Sequence, residues 1–449
     1  MDWLSILPPI LAVVIAVWKR EVILSLGLAL FSAELLLAGF NPLAGFTGTL
    51  DRLSAVFTSP GNTAILLLSL LIGTLLAFMR NSGGVNAFVD LLLAKRLARS
   101  ARSSGMLTAG LGVGIFIETY ISILATGIFA QSLFDRFGLS RARLAYIIDS
   151  TSSPVSVLIL LNGWGAYILG LLDGYGLENP LAVMVASIPL NFYAILTLLV
   201  VLYTCWTTRA HFTLAAHEDS RPVHTAAASE HPTGKVRFFL VPLGVLIAAF
   251  IGFMLKTGGG SLLAGNGSVS LLYAFMLAIL AATLLLLLEP GHTWKSLLDT
   301  GYKGMAEMLP VTTIMLLAFA LGSSMQALGT GPFMAGMVSA ALPLWLVAPM
   351  LFITAGVVSV TTGTSWGTYG ILIPVAIPMA QLTGLPVELL LAAVLGGGVF
   401  GDHCSPISDS TVLASLAAGC DHLDHVRTQL PYALLTGLLS LPLLVLFSL

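Results

Sequence analysis

The sequence has few charged residues, and this shortage decides the class of protein. Its 449 residues include 19 Lys and Arg and 21 Asp and Glu, together 9% of the chain, whereas soluble domains carry about 25%. Hydrophobic residues make up 57%, and the mean hydropathy is +0.98. A soluble globule of this composition could not cover its surface with polar groups. The composition therefore predicts a membrane protein with several spans.

Three further absences narrow the function. The net charge of −2 excludes nucleic-acid binding driven by overall positive charge. Cys205, Cys404 and Cys420 form neither a disulfide framework nor a CxxC zinc pattern. No GxxxxGK[ST] motif is present, which argues against a pump driven by ATP. We therefore expect a transporter rather than an enzyme, with no cofactor and with membrane lipids and small ions as partners. A homodimer stays open as an alternative to a monomer.

Apolar stretches long enough to cross a bilayer, about 20 residues each, predict ten spans. They lie at 3–18, 22–40, 62–79, 144–172, 179–206, 237–256, 268–288, 307–328, 386–418 and 430–448. Two further apolar segments, 105–133 and 343–384, are each interrupted in the middle by polar or glycine-rich residues.

The positive-inside rule suggests the path of the two interrupted segments. If 105–133 crossed the membrane once, the arginines within 136–143 would face the opposite side from the basic residues within 80–102. A re-entrant hairpin that opens to the cytoplasm places both groups on one face. We expect a second hairpin, opening outward, at 343–384. Both termini then lie outside, and Arg52 and Lys256 are the basic residues outside.

Short matches between the two halves indicate an internal repeat. Thr119-Tyr120 matches Thr368-Tyr369, and at a slightly larger offset the segment 153–156 (Ser-Pro-Val-Ser) matches 405–408 (Ser-Pro-Ile-Ser). An odd number of predicted spans separates each position from its partner, so the halves should have opposite orientations. The predicted fold is therefore an all-α polytopic membrane protein. It has two inverted repeats, each of five transmembrane helices plus one re-entrant hairpin, with broken helices at the midplane.

The predicted halves are residues 1–206 and 237–449, and residues 207–236 join them. The joining segment contains histidines, acidic residues and prolines, which is typical of a flexible cytoplasmic linker. A regulatory or pH-sensing loop is the alternative interpretation.

Polar residues interrupt the apolar sequence at the two hairpin tips and within two spans, which we expect to break at 149–156 and 401–411. Polar groups at membrane depth are functional candidates because they are costly there. Pro154 and Pro406 should release backbone carbonyls one turn earlier. The candidate binding residues are Glu118, Thr119, Asp149, Ser150, Thr151, Ser153, Thr362, Thr364, Ser365, Asp402, Ser405, Ser408 and Asp409.

These residue types suit a hard cation, which prefers carboxylate, hydroxyl and carbonyl oxygens. We expect Na⁺ at Asp402, Asp409 and Asp149. A carboxylate desolvated at the midplane also holds a proton more readily. Protonation and Na⁺ binding would then compete for the same oxygens, which is the minimal requirement of an antiporter.

Three other groups have less specific interpretations. His403, His422 and His425 are candidates for pH sensing. The cluster at 421–425 resembles a metal site, but we favour a solvated helix terminus, with pH sensing and a structural metal as alternatives. Glu34 lies within the second span without a polar cluster, so a protonated or snorkelling scaffold residue is the favoured interpretation.

The segment 401–411, continuing through 420–432, closely resembles the signature of NhaC-type sodium/proton antiporters. Segments 363–368 and 145–151 resemble further parts of that family, and the match covers about 60–432. The resemblance implies a multi-pass carrier of the bacterial inner membrane that exchanges Na⁺ for H⁺. It also implies membership of a wider group with inverted repeats and paired hairpins. Many relatives carry an acidic pair before the tyrosine of the first hairpin tip, where this chain has 117–120 as Ile-Glu-Thr-Tyr. One fewer negative charge favours fewer cations or another substrate.

Three functions follow from these patterns. The favoured one is an electrochemically driven Na⁺/H⁺ antiporter. The alternative is a Na⁺-coupled carrier or exchanger of a small organic acid or amino acid on the same scaffold. A passive channel or a structural membrane protein is the third, and the two inverted halves with closed hairpins argue against an open pore.

Overall fold

The structure is a computed structural model that describes residues 3–94, 98–219, 234–262 and 265–449. Every regular element within these ranges is helical. The first half contains α1 (Leu7–Lys19), α2 (Val22–Leu37), α3 (Pro42–Val56), α4 (Pro60–Asn81), α5 (Gly84–Ala94), α6 (Ala101–Gly114), α7 (Thr119–Arg136), α8 (Arg141–Leu158), α9 (Gly163–Asp173), α10 (Pro180–Ser187) and α11 (Phe192–Thr207). After α12 (Phe212–Asp219) come α13 (Arg237–Thr257), α14 (Gly267–Leu287), α15 (Trp294–Leu328), α16 (Thr330–Ala341), α17 (Val347–Thr362), α18 (Ser365–Thr383), α19 (Val387–Cys404), α20 (Asp409–Ala418) and α21 (His422–Phe447).

The helices confirm a multi-pass membrane protein. Within the described ranges, nine segments are long and apolar enough to cross a membrane, and the bent pair α2 and α3 raises the number to ten if it counts as one span. That pair turns by 120°; its first helix, α2, lies within the span predicted at 22–40, and the helix after the turn, α3, was not predicted. The predicted all-α polytopic class is correct. The opposite orientation of the two halves stays a prediction.

Each half contains two helices joined by a tight turn, followed by a broken span. In the first half α6 and α7 meet at residues 115–118, and α8 and α9 follow. In the second half α17 and α18 meet at Gly363 and Thr364, and α19 and α20 follow. The helix breaks fall at the two predicted hairpin tips. Their re-entrant course stays a prediction.

The first broken span breaks later than the sequence predicted. α8 continues through Pro154 to Leu158, and the interruption lies at 159–162 rather than at 149–156. Hydroxyl groups of this helix donate to carbonyl oxygens three or four residues earlier, as Ser152 does to Asp149 at 3.0 Å, and the helix tolerates the proline. At the break, Asn162 Nδ2 donates to the carbonyls of Ser156 (2.9 Å) and Ile159 (2.7 Å). This side chain satisfies carbonyls that the ending helix leaves free.

The second broken span follows the prediction. α19 ends at Cys404, α20 begins at Asp409, and Pro406 lies in the interruption between them. Ser405 Oγ donates to the carbonyl of Val360 at 2.8 Å, so the interruption is attached to α17 beside the second hairpin tip.

The two halves approach closely where α4 crosses α15. A Cβ atom added to Gly73 would overlap the carbonyl of Gly304, and one added to Gly304 would overlap the carbonyl of Gly73. Small residues allow such backbone approaches between membrane helices. Because of this crossing, α15 continues past α4 and packs against α9 and α18.

The predicted linker begins with an ordered helix. His211 N donates to Tyr432 Oη at 2.8 Å, and Thr213 Oγ1 donates to the carbonyl of Arg427 at 2.7 Å. These contacts attach the start of α12 to α21. Residues 220–233 lie outside the described ranges, and the boundaries 1–206, 207–236 and 237–449 stay predictions.

Candidate functional site

The two hairpin tips and the two broken spans meet around a small cavity, which we call the central cavity. Its volume is about 10 Å³, room for at most about one water molecule. Oxygen-bearing side chains and two indole rings line it: Glu118, Thr119, Tyr120, Ser153, Trp164, Thr364, Ser365, Trp366, Asp402, Asp409 and Ser410. Residues distant in the sequence thus converge on one small cavity.

Asp402 is the most firmly held acid of the central cavity. It lies in the last turn of α19 and is 2% exposed. Ser408 Oγ donates to its Oδ1 at 2.6 Å, and Ser365 Oγ donates to its Oδ2 at 3.1 Å. Each carboxylate oxygen therefore has a hydroxyl partner, one from the helix break and one from the second hairpin.

Asp409 is the exposed acid of the same cavity. It is the first residue of α20, where the helix dipole favours a negative charge. The hydroxyl of Tyr120 donates to its Oδ2, and the backbone N–H of Ser410 donates to its Oδ1 at 2.8 Å. The contact with Tyr120 attaches the first hairpin tip to the second half.

Glu118 is the third acid, and it caps α7. Its Oε2 accepts the backbone N–H of Ile121 at 2.8 Å. The neighbouring Thr119 Oγ1 lies 2.9 Å from Ser156 Oγ on α8. The first hairpin tip is thus held against the first broken span, and its carboxylate lines the cavity.

Asp149 lies behind the cavity rather than in its wall. It is fully buried, its Oδ2 accepts Gln429 Nε2 at 2.7 Å and Thr411 Oγ1 at 3.1 Å, and its Oδ1 has no hydrogen-bond partner among the described residues. The hydroxyl of Thr411 also lies 3.4 Å from the carbonyl of Asp402. The hydroxyl of Thr411 therefore contacts both the backbone of Asp402, which lines the cavity, and the carboxylate of Asp149, which lies behind it.

Two of the predicted histidines belong to a hydrogen-bonded chain that lies beside this buried acid. His425 Nε2 lies 3.9 Å from Asp149 Oδ2, and its Nδ1 lies 2.9 Å from Ser415 Oγ. Ser415 Oγ lies 3.0 Å from Nδ1 of His422, whose Nε2 lies 2.6 Å from the carbonyl of Pro406. His422 is partly exposed and His425 is fully buried. The chain thus links Asp149 to the surface.

The start of α21 differs from the solvated terminus that the sequence favoured. Asp421 is exposed and caps α21 through the N–H groups of Leu423 and Asp424, but His425 is buried against α20. Within the described ranges, no group of three or more His, Cys, Asp or Glu is arranged to hold a metal ion.

His403 lies apart from this chain. Its Nδ1 lies 2.9 Å from the hydroxyl of Tyr193, and its Nε2 is buried without a partner among the described residues. Its carbonyl accepts Gln429 Nε2 at 3.1 Å.

The remaining predicted residues divide into cavity and scaffold groups. Ser153 and Thr364 line the central cavity. Thr362 donates to the carbonyl of Val358 at 2.8 Å, and Thr151 donates to that of Ile147 at 2.7 Å. Ser150 is buried on α8.

Several residues of this region were not among the predicted site residues. Thr411 is the last residue of the predicted break at 401–411, and Gln429 directly precedes the predicted span 430–448, but neither was chosen as a binding residue. Trp164 and Trp366 line the cavity, but indole rings in a membrane protein more often mark interfaces or core packing. Their roles depend on contacts between segments far apart in the sequence.

A multi-pass helical protein whose paired hairpins and broken spans enclose an acidic cavity has the architecture of a secondary transporter. Sequence comparison then identifies the group: the chain belongs to the Na⁺/H⁺ antiporter family, whose sequence profile matches residues 155–449. This confirms the resemblance drawn from the motifs. The class is that of secondary antiporters, which are transport proteins rather than enzymes.

Individual relatives cover different shares of the chain. An uncharacterised protein of Haemophilus influenzae is 33% identical over 96% of this chain and 88% of its own length. The malate-2H⁺/Na⁺-lactate antiporter of Bacillus subtilis is 36% identical over 33% of this chain and 31% of its own length. The antiporter NhaC of the same species is 27% identical over 37% of this chain and 42% of its own length.

Two solved structures share the fold. The YdaH transporter of Alcanivorax borkumensis superposes with a TM-score of 0.64 at 16% identity, over 97% of this chain and 98% of that one. MtrF of Neisseria gonorrhoeae superposes with a TM-score of 0.59 at 14% identity, over 90% and 84% of the two chains. At these identities the likeness concerns the fold alone.

Proposed function

We propose that this antiporter exchanges Na⁺ for H⁺ across a bacterial inner membrane. The main support is the central cavity, where Asp402 is buried between two hydroxyl groups and faces two further acids, Asp409 and Glu118. A space with room for about one water molecule suits a dehydrated monovalent ion rather than an organic solute.

The proposed cation site uses oxygen ligands from both halves. Asp402 and Asp409 supply negative charge, Ser365 and Ser408 supply hydroxyl oxygens, and Glu118 supplies a third carboxylate. Na⁺ prefers such hard ligands. Without a cation, carboxylates that line the same small cavity favour protonation. Sodium and protons therefore compete for the same oxygens.

Hydrogen-bond geometry supports a proton-carrying role for His425 beside Asp149. Gln429 Nε2 donates to Asp149 and to the carbonyl of His403, so Gln429 Oε1 faces His425 Nε2 at 3.0 Å. Nδ1 of His425 faces the carbonyl of Thr411 at 3.2 Å. Both ring nitrogens face acceptors, which suits an imidazolium, and the nearby carboxylate of Asp149 balances its charge.

Coupling between Na⁺ binding and proton release follows from the contact between the central cavity and the Asp149–His425 pair. Thr411 Oγ1 contacts Asp149 and the carbonyl of Asp402, so charge in the cavity acts on the neighbouring Asp149–His425 pair. Na⁺ in the cavity displaces a proton from the carboxylates, and His425 passes a proton on towards the surface through Ser415 and His422. Alternating access would move the hairpins and broken spans, as parts of two inverted repeats, against the remaining helices.

A second candidate function is Na⁺-coupled exchange of a small organic solute. It is favoured by relatives that bear such names, the malate-2H⁺/Na⁺-lactate antiporter and an arginine/ornithine antiporter of Halobacterium salinarum, each matched over about a third of this chain. Exchange of that kind would require the cavity to widen during the cycle.

The direct test is a pH-gradient assay in proteoliposomes without organic solute, with Na⁺, Li⁺ or K⁺ added in turn. We expect Na⁺ to dissipate the gradient without any organic solute, because the carboxylate and hydroxyl oxygens of the cavity can bind either Na⁺ or protons. A gradient that none of these cations dissipates would contradict Na⁺/H⁺ exchange. Restoration of flux only on addition of malate, lactate, arginine or ornithine would favour the second candidate.

A further inference from the structure

A second cavity, which we call the outer cavity, lies between α3, the start of α4, the end of α9 and the last turns of α15. Its volume is about 240 Å³, far larger than that of the central cavity. Arg52 belongs to the face predicted to lie outside, so the cavity should open to that side. The polar side chains that line it include Arg52, Asn62, Asp173, Tyr175, Ser323 and Gln326.

Arg52 provides the cavity with a fixed cation. Its Nε donates to Glu34 Oε1 at 2.8 Å, and its NH1 donates to Ser323 Oγ at 3.2 Å. A guanidinium has five N–H donors, and about a quarter of this side chain (26%) is exposed. Arg52 lines the cavity, and these two contacts leave further N–H donors of its guanidinium for a ligand. They have the planar arrangement that binds a carboxylate.

Glu34 holds this guanidinium in place. Its side chain is only 8% exposed, and Ser324 Oγ also donates to its Oε1 at 2.6 Å. The sequence favoured a protonated or snorkelling residue without a polar cluster, and the structure corrects this: Glu34 pairs with Arg52, whose position on α3 results from the sharp turn after α2. The pair fixes the direction of the guanidinium before any ligand binds, which lowers the entropy lost on binding.

Asp173 provides a negative charge at another wall. It is exposed at the end of α9, and its Oδ2 lies 3.4 Å from Ser268 Oγ, a long hydrogen bond. The cavity thus has a guanidinium on α3 and a weakly engaged carboxylate on α9.

The charges of this cavity determine which ligands suit it. Glu34 and Asp173 are negative and Arg52 is positive, so the group carries a net charge of about −1. A simple carboxylate ligand would add to this negative charge and should be disfavoured. A ligand with one carboxylate and at least one ammonium group adds no net negative charge, and it can pair its carboxylate with Arg52 and its ammonium group with Asp173. We propose that the outer cavity binds a zwitterionic or cationic amino acid, with its carboxylate at Arg52 and an ammonium group at Asp173.

The outer cavity lies in line with the central cavity. Nine residues of α9 separate Asp173 from Trp164, about 14 Å of helix, and Trp164 lines the central cavity. Between them, Tyr167 lies 6.4 Å from the ring of Phe319, a wall of the outer cavity, and 5.4 Å from the ring of Trp366, a wall of the central one. An amino acid bound outside would therefore lie on the predicted outer side of an aromatic barrier.

The test is isothermal titration calorimetry on the full-length protein in detergent, with L-alanine, L-arginine and L-lactate as ligands. We expect one of the amino acids or both to bind and lactate not to bind. Arg52→Gln and Asp173→Asn should each weaken amino-acid binding at least about tenfold, because each removes a charge-assisted contact. Arg237→Gln, which removes an arginine paired with Glu289 at the surface, is the matched control and should bind as the wild type does.

Arg52→Gln alone leaves the carboxylate of Glu34 buried without its partner, which can destabilise the fold. The double variant Glu34→Gln/Arg52→Gln removes both charges and therefore tests the loss of Arg52 without an unpaired buried charge. Absence of amino-acid binding in the wild type, binding of lactate in preference to amino acids, or equal binding by the charge variants would overturn the proposal. The proposal is independent of Na⁺/H⁺ exchange, because the pH-gradient assay contains no organic solute. Failure of either experiment therefore leaves the other interpretable.

Discussion

Asp402→Asn is expected to reduce Na⁺-dependent proton flux in proteoliposomes at least about 100-fold. The substitution keeps the size of the side chain and an oxygen that Ser408 or Ser365 can bond, but it removes the exchangeable negative charge. Loss of a charge-assisted ligand contact worth about 3 kcal/mol corresponds to about a 100-fold change. The fold should persist, because a neutral amide is easier to bury than a carboxylate.

The matched control for this variant is Asp299→Asn, an exposed aspartate on α15 outside the central cavity. Its proton flux should equal that of the wild type. Thermal unfolding of all three proteins in detergent distinguishes lost transport from lost structure. Substantial Na⁺-dependent flux in a folded Asp402→Asn protein would remove Asp402 from the proposed site.

His425→Gln is expected to separate cation movement from proton movement. Glutamine can still bond Ser415 or Gln429 but cannot carry the proton beside Asp149. Proton flux coupled to Na⁺ should fall about 100-fold or more, since a positioned proton-transfer group contributes on that scale. Exchange of ²²Na⁺ for Na⁺ should continue, because the carboxylates and hydroxyls of the central cavity remain.

The comparison with Asp402→Asn makes this result specific, since that variant should lose both kinds of exchange. His292→Gln, in the segment between α14 and α15, serves as the control for loss of one histidine. If His425→Gln keeps full proton coupling, or loses Na⁺ self-exchange to the same extent as proton flux, His425 is not the proton carrier.

Local sequence signals were enough to predict the helical class and the hairpin tips. Apolar runs of about 20 residues give spans directly, and a polar tip such as 361–368 stands out against an apolar background. The break at 405–408 was also predictable, because Pro406 lies among serines. In the first half, Pro154 gave the same signal, yet α8 continues to Leu158, since hydroxyls within the helix and Asn162 beyond it satisfy its carbonyls.

The candidate site was predicted in part, and the remainder depends on tertiary contacts. Asp402, Asp409 and Glu118 come together as expected from the repeated polar interruptions. The partners of Asp149 on α20 and α21 could not be deduced, because no pattern in the sequence relates Gln429 or His425 to α8. The pairing of Glu34 with Arg52 was missed for the same reason, since it depends on the 120° turn between α2 and α3.

The most direct test of the proposed function is the number of protons released when Na⁺ binds. The purified protein in weakly buffered detergent solution near pH 7 would be titrated with NaCl, with choline chloride as the control for ionic strength. Competition at Asp402 and its neighbours predicts release of about one proton or more per Na⁺ bound, and no release from Asp402→Asn. Binding of Na⁺ to the wild type without any proton release would contradict the exchange mechanism.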